Sequence, residues 1–322
     1  METIATYSDK EFLRHFRVNR DVVNEIVERF KNSKQFTYQS GNYGKLTPLK
    51  FVLAFLWFAG HQTASFRDIA KRFRITTSSL FRVITRISEF LNDLSSEFIK
   101  WPSAEELHDI EKNFRHEQSF PGAVGVVDVQ QIITSKIVRK TTSPLQKKGP
   151  NFFQLQIVCD HRRKLLDIFA ERVDSIDGRK IFEDSPLSSS LPEKCKETFI
   201  IGSSTYPCSQ HLLTPFKNIH QLNSIEKNFN EKITQNRKLT QNCFAMLKQR
   251  FPQLCHVRLR NIDTIVNFIR ACCVLHNIAL GDNFVFIEEN KNKIAASPKY
   301  YDDEDDDVVE FRKSIAYMLK VA

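Results

Sequence analysis

The apolar residues of this chain change their period part-way along, and that change restricts the folds open to it. Before Trp101 they recur at three- and four-residue steps; beyond Pro121 they fall into short continuous runs. The first pattern belongs to helices that bury one face, the second to buried strands. Phe12, Phe16, Val22, Val23, Ile26, Val27 and Phe30 make the opening helical, as far as a polar loop from Lys31 to Lys45. Thr47-Pro48 starts a second helix, because Thr caps well and Pro at the first helical position loses no hydrogen bond. Leu49, Val52, Leu53, Phe55 and Leu56 make it apolar almost all round, which predicts burial. Phe66, Ile69, Ala70 and Phe73 then define a short helix, Arg74-Ile75-Thr76 breaks the phase, and Leu80, Val83, Ile84, Ile87 and Leu91 define another with Thr77 or Ser78 as its cap. Two short helices joined by a tight turn predict a helix-turn-helix, whose second helix can enter the DNA major groove.

Charge supports that reading. Arg67, Lys71, Arg72, Arg74, Arg82 and Arg86 stand against Asp68 alone in this segment, while the whole chain carries a net charge of +9. These cations are the expected phosphate ligands, and Thr77, Ser78 and Ser79 lie where base edges or phosphates come within reach. A plain helical hairpin with a solvated basic face is the competing reading. A second basic stretch, Lys232, Arg237, Lys238, Lys248, Arg250, Arg258 and Arg260 against Glu231, adds Arg237, Lys238 and Lys248 as expected DNA contacts.

Past the boundary at Trp101-Pro102, strands are predicted at Ala123 to Val127, Ile132 to Val138, Phe152 to Cys159, Leu165 to Val173 and Thr198 to Ile201. A short helix is expected over Arg179 to Phe182, and long helical patterns run through Ile225–Phe251 and Ile262–Leu280. That order suits an α/β sheet covered by helices. It fits the ribonuclease-H-like order, although periodicity alone does not single that fold out. The acidic block Asp302 to Asp307 reads as a solvated segment, followed by a short amphipathic helix through Phe311, Ile315, Met318 and Leu319. A membrane span is not expected, since the most apolar stretch, Phe51 to Ala59, is far short of the roughly 18 residues required. Met1-Glu2-Thr3 does not open a secretory signal. Seven scattered cysteines do not form a disulfide framework and point to a reducing compartment. Cys272 and His276, one helical turn apart, lie on an apolar face with Ile265 and Ile269, so burial is expected of them rather than metal binding.

Ser8-Asp9-Lys10-Glu11-Phe12 with His15-Phe16-Arg17, Gly125-Val126-Val127-Asp128, Gln156-Ile157-Val158-Cys159-Asp160, Tyr206-Pro207 with Leu212-Leu213-Thr214-Pro215-Phe216, Phe244 to Phe251, and Ala271 to Ile278 form an ordered set of segments. In order and spacing it resembles the PIF/Harbinger transposases and their transposase-derived nuclease relatives, of the DDE superfamily, over about residues 8 to 282. The resemblance implies a ribonuclease-H-like mixed sheet flanked by helices, preceded by an all-α region with the helix-turn-helix. The domains expected are a helical region over 1–60, the helix-turn-helix over 61–102, the DDE-type domain over 103–282, and an acidic tail with a short helix over 283–322. It also implies carboxylates converging on Mg²⁺ or Mn²⁺, ions that activate an attacking oxygen and stabilise a leaving one. DNA is the implied substrate, with a Myb-like protein or a chromatin complex as further partner, and the nucleus as the location.

The departures bear most on function. Asp128 matches the first catalytic aspartate and is followed by Val129-Gln130-Gln131, where the family continues Gly-Thr-His or similar. Ser203 stands at the second aspartate and Gln241 at the glutamate. A further acidic position aligns to Gly178, with Asp177 one residue away as a substitute ligand if the loop shifts, and Asp174 or Asp160 as other rescues. Each carboxylate lost at about 4 Å forfeits on the order of 4 kcal/mol of attraction at an effective dielectric of about 20. Half of that, lost twice, lowers metal affinity by roughly three powers of ten. The expectation is a transposase-derived, DNA- or chromatin-associated protein that does not cut, with divalent metal weakly bound or absent. The competing readings are an active nuclease with relocated carboxylates and an interaction scaffold without DNA binding.

Overall fold

A computed structural model describes residues 4, 6–36, 46–135, 152–172, 178–217, 221–282, 284–285 and 305–321. They divide into two compact units, one drawn from Met1–Ile99, Ile132–Phe153 and Met246–Ile287, the other from Lys100–Gln131, Gln154–Ala245 and Glu288–Ala322.

The first unit is helical. Helices α1 (Asp9–Phe16), α2 (Arg20–Lys31), α3 (Pro48–Gly60), α4 (Phe66–Arg72), α5 (Thr77–Asp93) and α6 (Ser95–Phe98) follow one another, joined by the later helix Ile262–Ile278. Helix α3 carries the most apolar segment and buries Phe51 to Gly60 without interruption. Thr47 caps it and Pro48 opens it, as its sequence predicts. Phe55 and Phe58 pack on Phe268 of Ile262–Ile278, at ring separations of 5.8 and 5.3 Å. Helix α5 buries Leu80, Val83, Ile84, Ile87 and Leu91. Its cap differs from expectation: the Thr76 hydroxyl, not that of Thr77 or Ser78, accepts the Ser79 amide at 3.0 Å. Thr76 precedes the turn into helical φ/ψ and has the extended backbone a cap requires, at φ −79° and ψ 158°. Arg250 Nη1 and Nη2 donate to Asp282 at 2.6 and 2.9 Å, and Nη1 also reaches the Arg17 carbonyl at 2.8 Å.

The second unit is α/β. Helix α7 (Ala104–Glu117) precedes strands β1 (Ala123–Ile133), β2 (Phe152–Cys159) and β3 (Leu165–Arg172). Then come α8 (Gly178–Asp184), α9 (Pro186–Cys195), β4 (Phe199–Ile201), β5 (Leu212–Leu213), α10 (Ser224–Asn236), α11 (Lys238–Arg250), of which residues from Met246 on belong to the first unit, and the C-terminal α13 (Asp306–Val321), with Ile262–Ile278 counted as α12. The strands form one five-stranded mixed sheet in the order β3-β2-β1-β4-β5. β1 pairs with β4, and β4 with β5, in parallel. Such a sheet flanked by helices is consistent with the ribonuclease-H-like expectation. Its central strands are buried on both faces, which is why Ala123 to Val127 reads as a continuous apolar run.

Several element boundaries differ from the sequence reading. The strands expected at Ala123 to Val127 and Ile132 to Val138 are one strand as far as Ile133, and residues 136–138 lie outside the described residues, like most of the Lys31–Lys45 loop. The Ile225–Phe251 pattern is two helices, which meet at Arg237. Met318 on α13 is 50% exposed, whereas Ile315 and Leu319 are buried. Cys272 and His276 are buried, as expected, and all seven cysteines are free thiols. No helix among the described residues is long and apolar enough to cross a membrane.

Candidate functional site

Two places in the fold carry the chemistry that the sequence points to. The first is the α4–α5 pair. Ser65 and Asp68 form a reciprocal capping box: the Ser65 hydroxyl accepts the Asp68 amide at 3.1 Å and the Asp68 carboxylate accepts the Ser65 amide at 3.3 Å. The only acid of this basic segment is thereby engaged by its own helix cap, and the bonds from Ser65 hold its carboxyl below the usual carboxylate range. Arg67, Lys71, Arg72, Arg74, Thr77, Ser78 and Arg82 are exposed, and Ser79 and Arg86 are half-buried. Arg74 sits in the connecting turn at φ 50°, the left-handed region. Arg72 stacks over the Trp57 ring at 4.1 Å, which gives one of these cations a fixed seat.

The second place is at the C-terminal end of β1. There the apolar run ends in Asp128, whose side chain is buried. The register that pairs Val126 with Ile201 brings Ser203, two residues on, beside Asp128. The Ser203 hydroxyl is buried and shares a 2.7 Å hydrogen bond with the Thr205 hydroxyl. Gly178 opens α8 against the same loop; a Cβ added to it would meet the Thr205 side chain, whose own Cβ would be 3.0 Å away. The aligned acidic position therefore has no room for a side chain while Thr205 stays in place. Gln241 is exposed on α11, one turn beyond Arg237, whose carbonyl accepts the Gln241 amide at 3.2 Å.

The partner of Asp128 is a cation from the helix junction. Arg237 Nη2 donates to Asp128 Oδ2 at 2.9 Å, and the Val129 amide donates to Oδ1 at 2.9 Å. Tyr206 stands by: its phenol is buried, has no hydrogen-bond partner among the described residues, and is pushed well above its ordinary pKa by burial and then by the Asp128 charge. Gly202 completes the packing, with Val127 and Tyr206 within 3.4 Å of its virtual Cβ.

Among the residues the sequence singles out, the fold thus gathers Asp128, Ser203, Gly178 and, through Arg237, the helix that carries Gln241. Asp160 does not serve as a spare ligand in this arrangement; its carboxylate accepts the amides of Arg162 and Lys164 at 2.8 and 2.9 Å and builds the β2–β3 turn. Asp174 and Asp177 lie outside the described residues. Lys238 is exposed, but Lys248 is half-buried and burial lowers its pKa, while Arg250 is buried with Asp282. The sequence reading gave Thr205 and Tyr206 no chemical role and cast Arg237 as a DNA contact. Only the sheet register and the helix junction reveal their shared location.

Divalent-metal chemistry of the family's kind requires clustered anionic oxygens. Asp128 is the one carboxylate the described residues bring to this point, and no group of three or more His, Cys, Asp or Glu side chains among them could hold a metal ion. The donor set among the described residues does not fit a two-ion centre.

Residues 130–277 match the DDE superfamily endonuclease family. The chain is 25% identical over 259 residues to HARBI1 of Xenopus laevis, a candidate nuclease by name, covering 79% of this chain and 73% of the relative. To human HARBI1 it is 26% identical over 241 residues, covering 73% and 68%. To the Arabidopsis thaliana protein named Antagonist of Like Heterochromatin Protein 1 it is 24% identical over 231 residues, covering 66% and 58%. No solved structure matches the chain. Residues 130–277 are thus similar to the DDE superfamily endonuclease family, and the chain as a whole is similar to the proteins named HARBI1.

Proposed function

We propose that this protein associates with DNA in the nucleus, as a domesticated or decayed Harbinger-type protein, and does not cleave it. The observation that carries the reading is the exposed cationic stretch from Arg67 to Arg86, whose one acid, Asp68, is engaged in a helix cap. The pair acts as a helix-turn-helix, with Arg67, Lys71, Arg74 and Arg82 on phosphates and the Thr77–Ser79 turn at the groove. Phosphate binding needs only cations, so it survives loss of the catalytic carboxylates. Ser203 and Gln241 supply neutral oxygens where cleavage needs anions, and Gly178 supplies none. The Arabidopsis relative, named for antagonism of a heterochromatin protein, supports a chromatin setting and a protein partner.

Duplex DNA titrated at several salt concentrations tests the binding. Four to six phosphate contacts give a slope of log affinity against log salt of about −4 to −5; a slope near zero refutes the reading. A parallel incubation with Mn²⁺ tests the absence of cleavage. Cutting that Asp128→Asn abolishes establishes an active nuclease instead.

A further inference from the structure

The conflict between a metal-dependent family and this donor set has a specific structural cause. In a DDE-type centre the carboxylate at the end of the first core strand faces a divalent cation. Here Asp128 Oδ2 faces the Arg237 guanidinium at 2.9 Å, with the two side chains 13% and 27% exposed. Asp128 Oδ1 is held by the Val129 amide, so both oxygens already have donors. The neighbouring seats are closed as well: Ser203 and Thr205 are hydrogen-bonded to each other, and Thr205 fills the space beside Gly178.

We propose that Arg237 has taken the place of the catalytic metal as the counter-ion of Asp128, which converts the centre into a fixed, metal-independent ion pair. The pair ties β1 to the α10–α11 junction, a cross-link that in a metal site the ion supplies. A guanidinium suits this task because it is always charged and presents several donors in a plane, and it needs no second or third carboxylate to hold it. It also adds positive charge where Mg²⁺ or Mn²⁺ would have to enter, so an arriving ion meets repulsion as well as an occupied ligand. The inference shares with the proposed function the reading of Asp128 as a remnant of the first catalytic position. Its test uses no DNA, so the two fail separately.

The first measurement is thermal unfolding of the full chain with EDTA, Mg²⁺ or Mn²⁺. An ion bound at millimolar affinity or better raises the melting temperature, whereas a fixed ion pair leaves it within about 1 °C across all three conditions. Asp128→Asn is expected to lower the melting temperature in the Arg237 background and to change it little in the Arg237→Gln background. A rise with Mn²⁺ that Asp128→Asn or Asp177→Asn removes would overturn the proposal.

The second measurement uses Tb³⁺, whose luminescence a nearby tyrosine sensitises; Tyr206 is in position to do so. Ser203→Asp with Gln241→Glu puts carboxylates back at the two positions that align with the family's acids. With Arg237 retained, Tb³⁺ is expected to bind weakly; with Arg237→Gln added, at least about tenfold more tightly. Equal affinity with and without Arg237, including no binding by either, shows that Arg237 does not occupy the cation position.

Discussion

Two basic stretches, Arg67 to Arg86 and Lys232 to Arg260, look alike in sequence and are treated differently by the fold. In the first, Arg67, Lys71 and Arg74 stand in solvent and the only acid is taken up by a helix cap. In the second, Arg237 is bound to Asp128, Arg250 is buried against Asp282, and Lys248 is half-buried. Net charge along a sequence is therefore not charge available to a partner. An arginine opposite a buried carboxylate acts as structure; one opposite water is available to bind.

That contrast is most sharply broken at Arg250. Its ion pair with Asp282 is 2% and 0% exposed, so Arg250→Met leaves a buried carboxylate without its counter-ion, held only by the Phe284 amide. The expected loss is about 3 to 5 kcal/mol in denaturant unfolding, against about 0.5 kcal/mol or less for Arg67→Gln. Equal effects at the two positions would erase the distinction. The reverse experiment removes Arg67, Lys71, Arg74 and Arg82 together by substitution with Gln. The salt-dependence slope of DNA binding should then shrink by about three to four, with stability nearly unchanged. Arg74→Gly is a milder test, because Arg74 lies at φ 50° and pays a left-handed backbone cost that Gly avoids. Stability should stay level or rise by up to about 1 kcal/mol, while the DNA slope falls by about 0.9. A large loss of stability would mean that the Arg74 side chain is structural after all.

The smallest expected effect concerns Arg72, the member of the outer stretch with a fixed seat. Its guanidinium lies on Trp57, which stacks in turn with His15 and His61 at 5.1 and 4.1 Å. Burial, followed by Arg72, Arg14 and Arg17, holds His15 below the ordinary imidazole value. Burial also lowers His61, against the hydrogen bond to the Trp57 carbonyl and with help from Arg17, His15 and Arg72. Both imidazoles therefore take up protons more readily in the unfolded chain. Their linked stability is complete above about pH 6.5 and declines as the pH falls below it. Melting temperatures measured from about pH 8 down to pH 5 should drop more in the native protein than in a His15→Gln, His61→Gln double variant. Parallel curves would detach the stack from the pH response.

Much of this was legible before any coordinates. The apolar steps of α3 and α5, the Thr47-Pro48 start, and the strands ending at Cys159 and Ile201 follow from period and capping, because those signals are local. Asp128, Ser203 and Gln241 could be picked out as an ordered set by their resemblance to the Harbinger family. The boundary inside Ile225–Phe251 was not legible, since Arg237 is an unremarkable residue in a helical pattern until its side chain turns toward β1.

By itself, the sequence determined that a helical region precedes an α/β sheet; only its resemblance to the Harbinger family implied that neutral residues stand where such a nuclease carries acids. It could not determine what faces Asp128. That depends on a residue more than a hundred positions away, brought close by a parallel strand pairing and a helix junction, and no local propensity encodes such a meeting. The tertiary structure alone decided which arginines are counter-ions and which remain open to a partner, because desolvation, not residue type, separates the two roles.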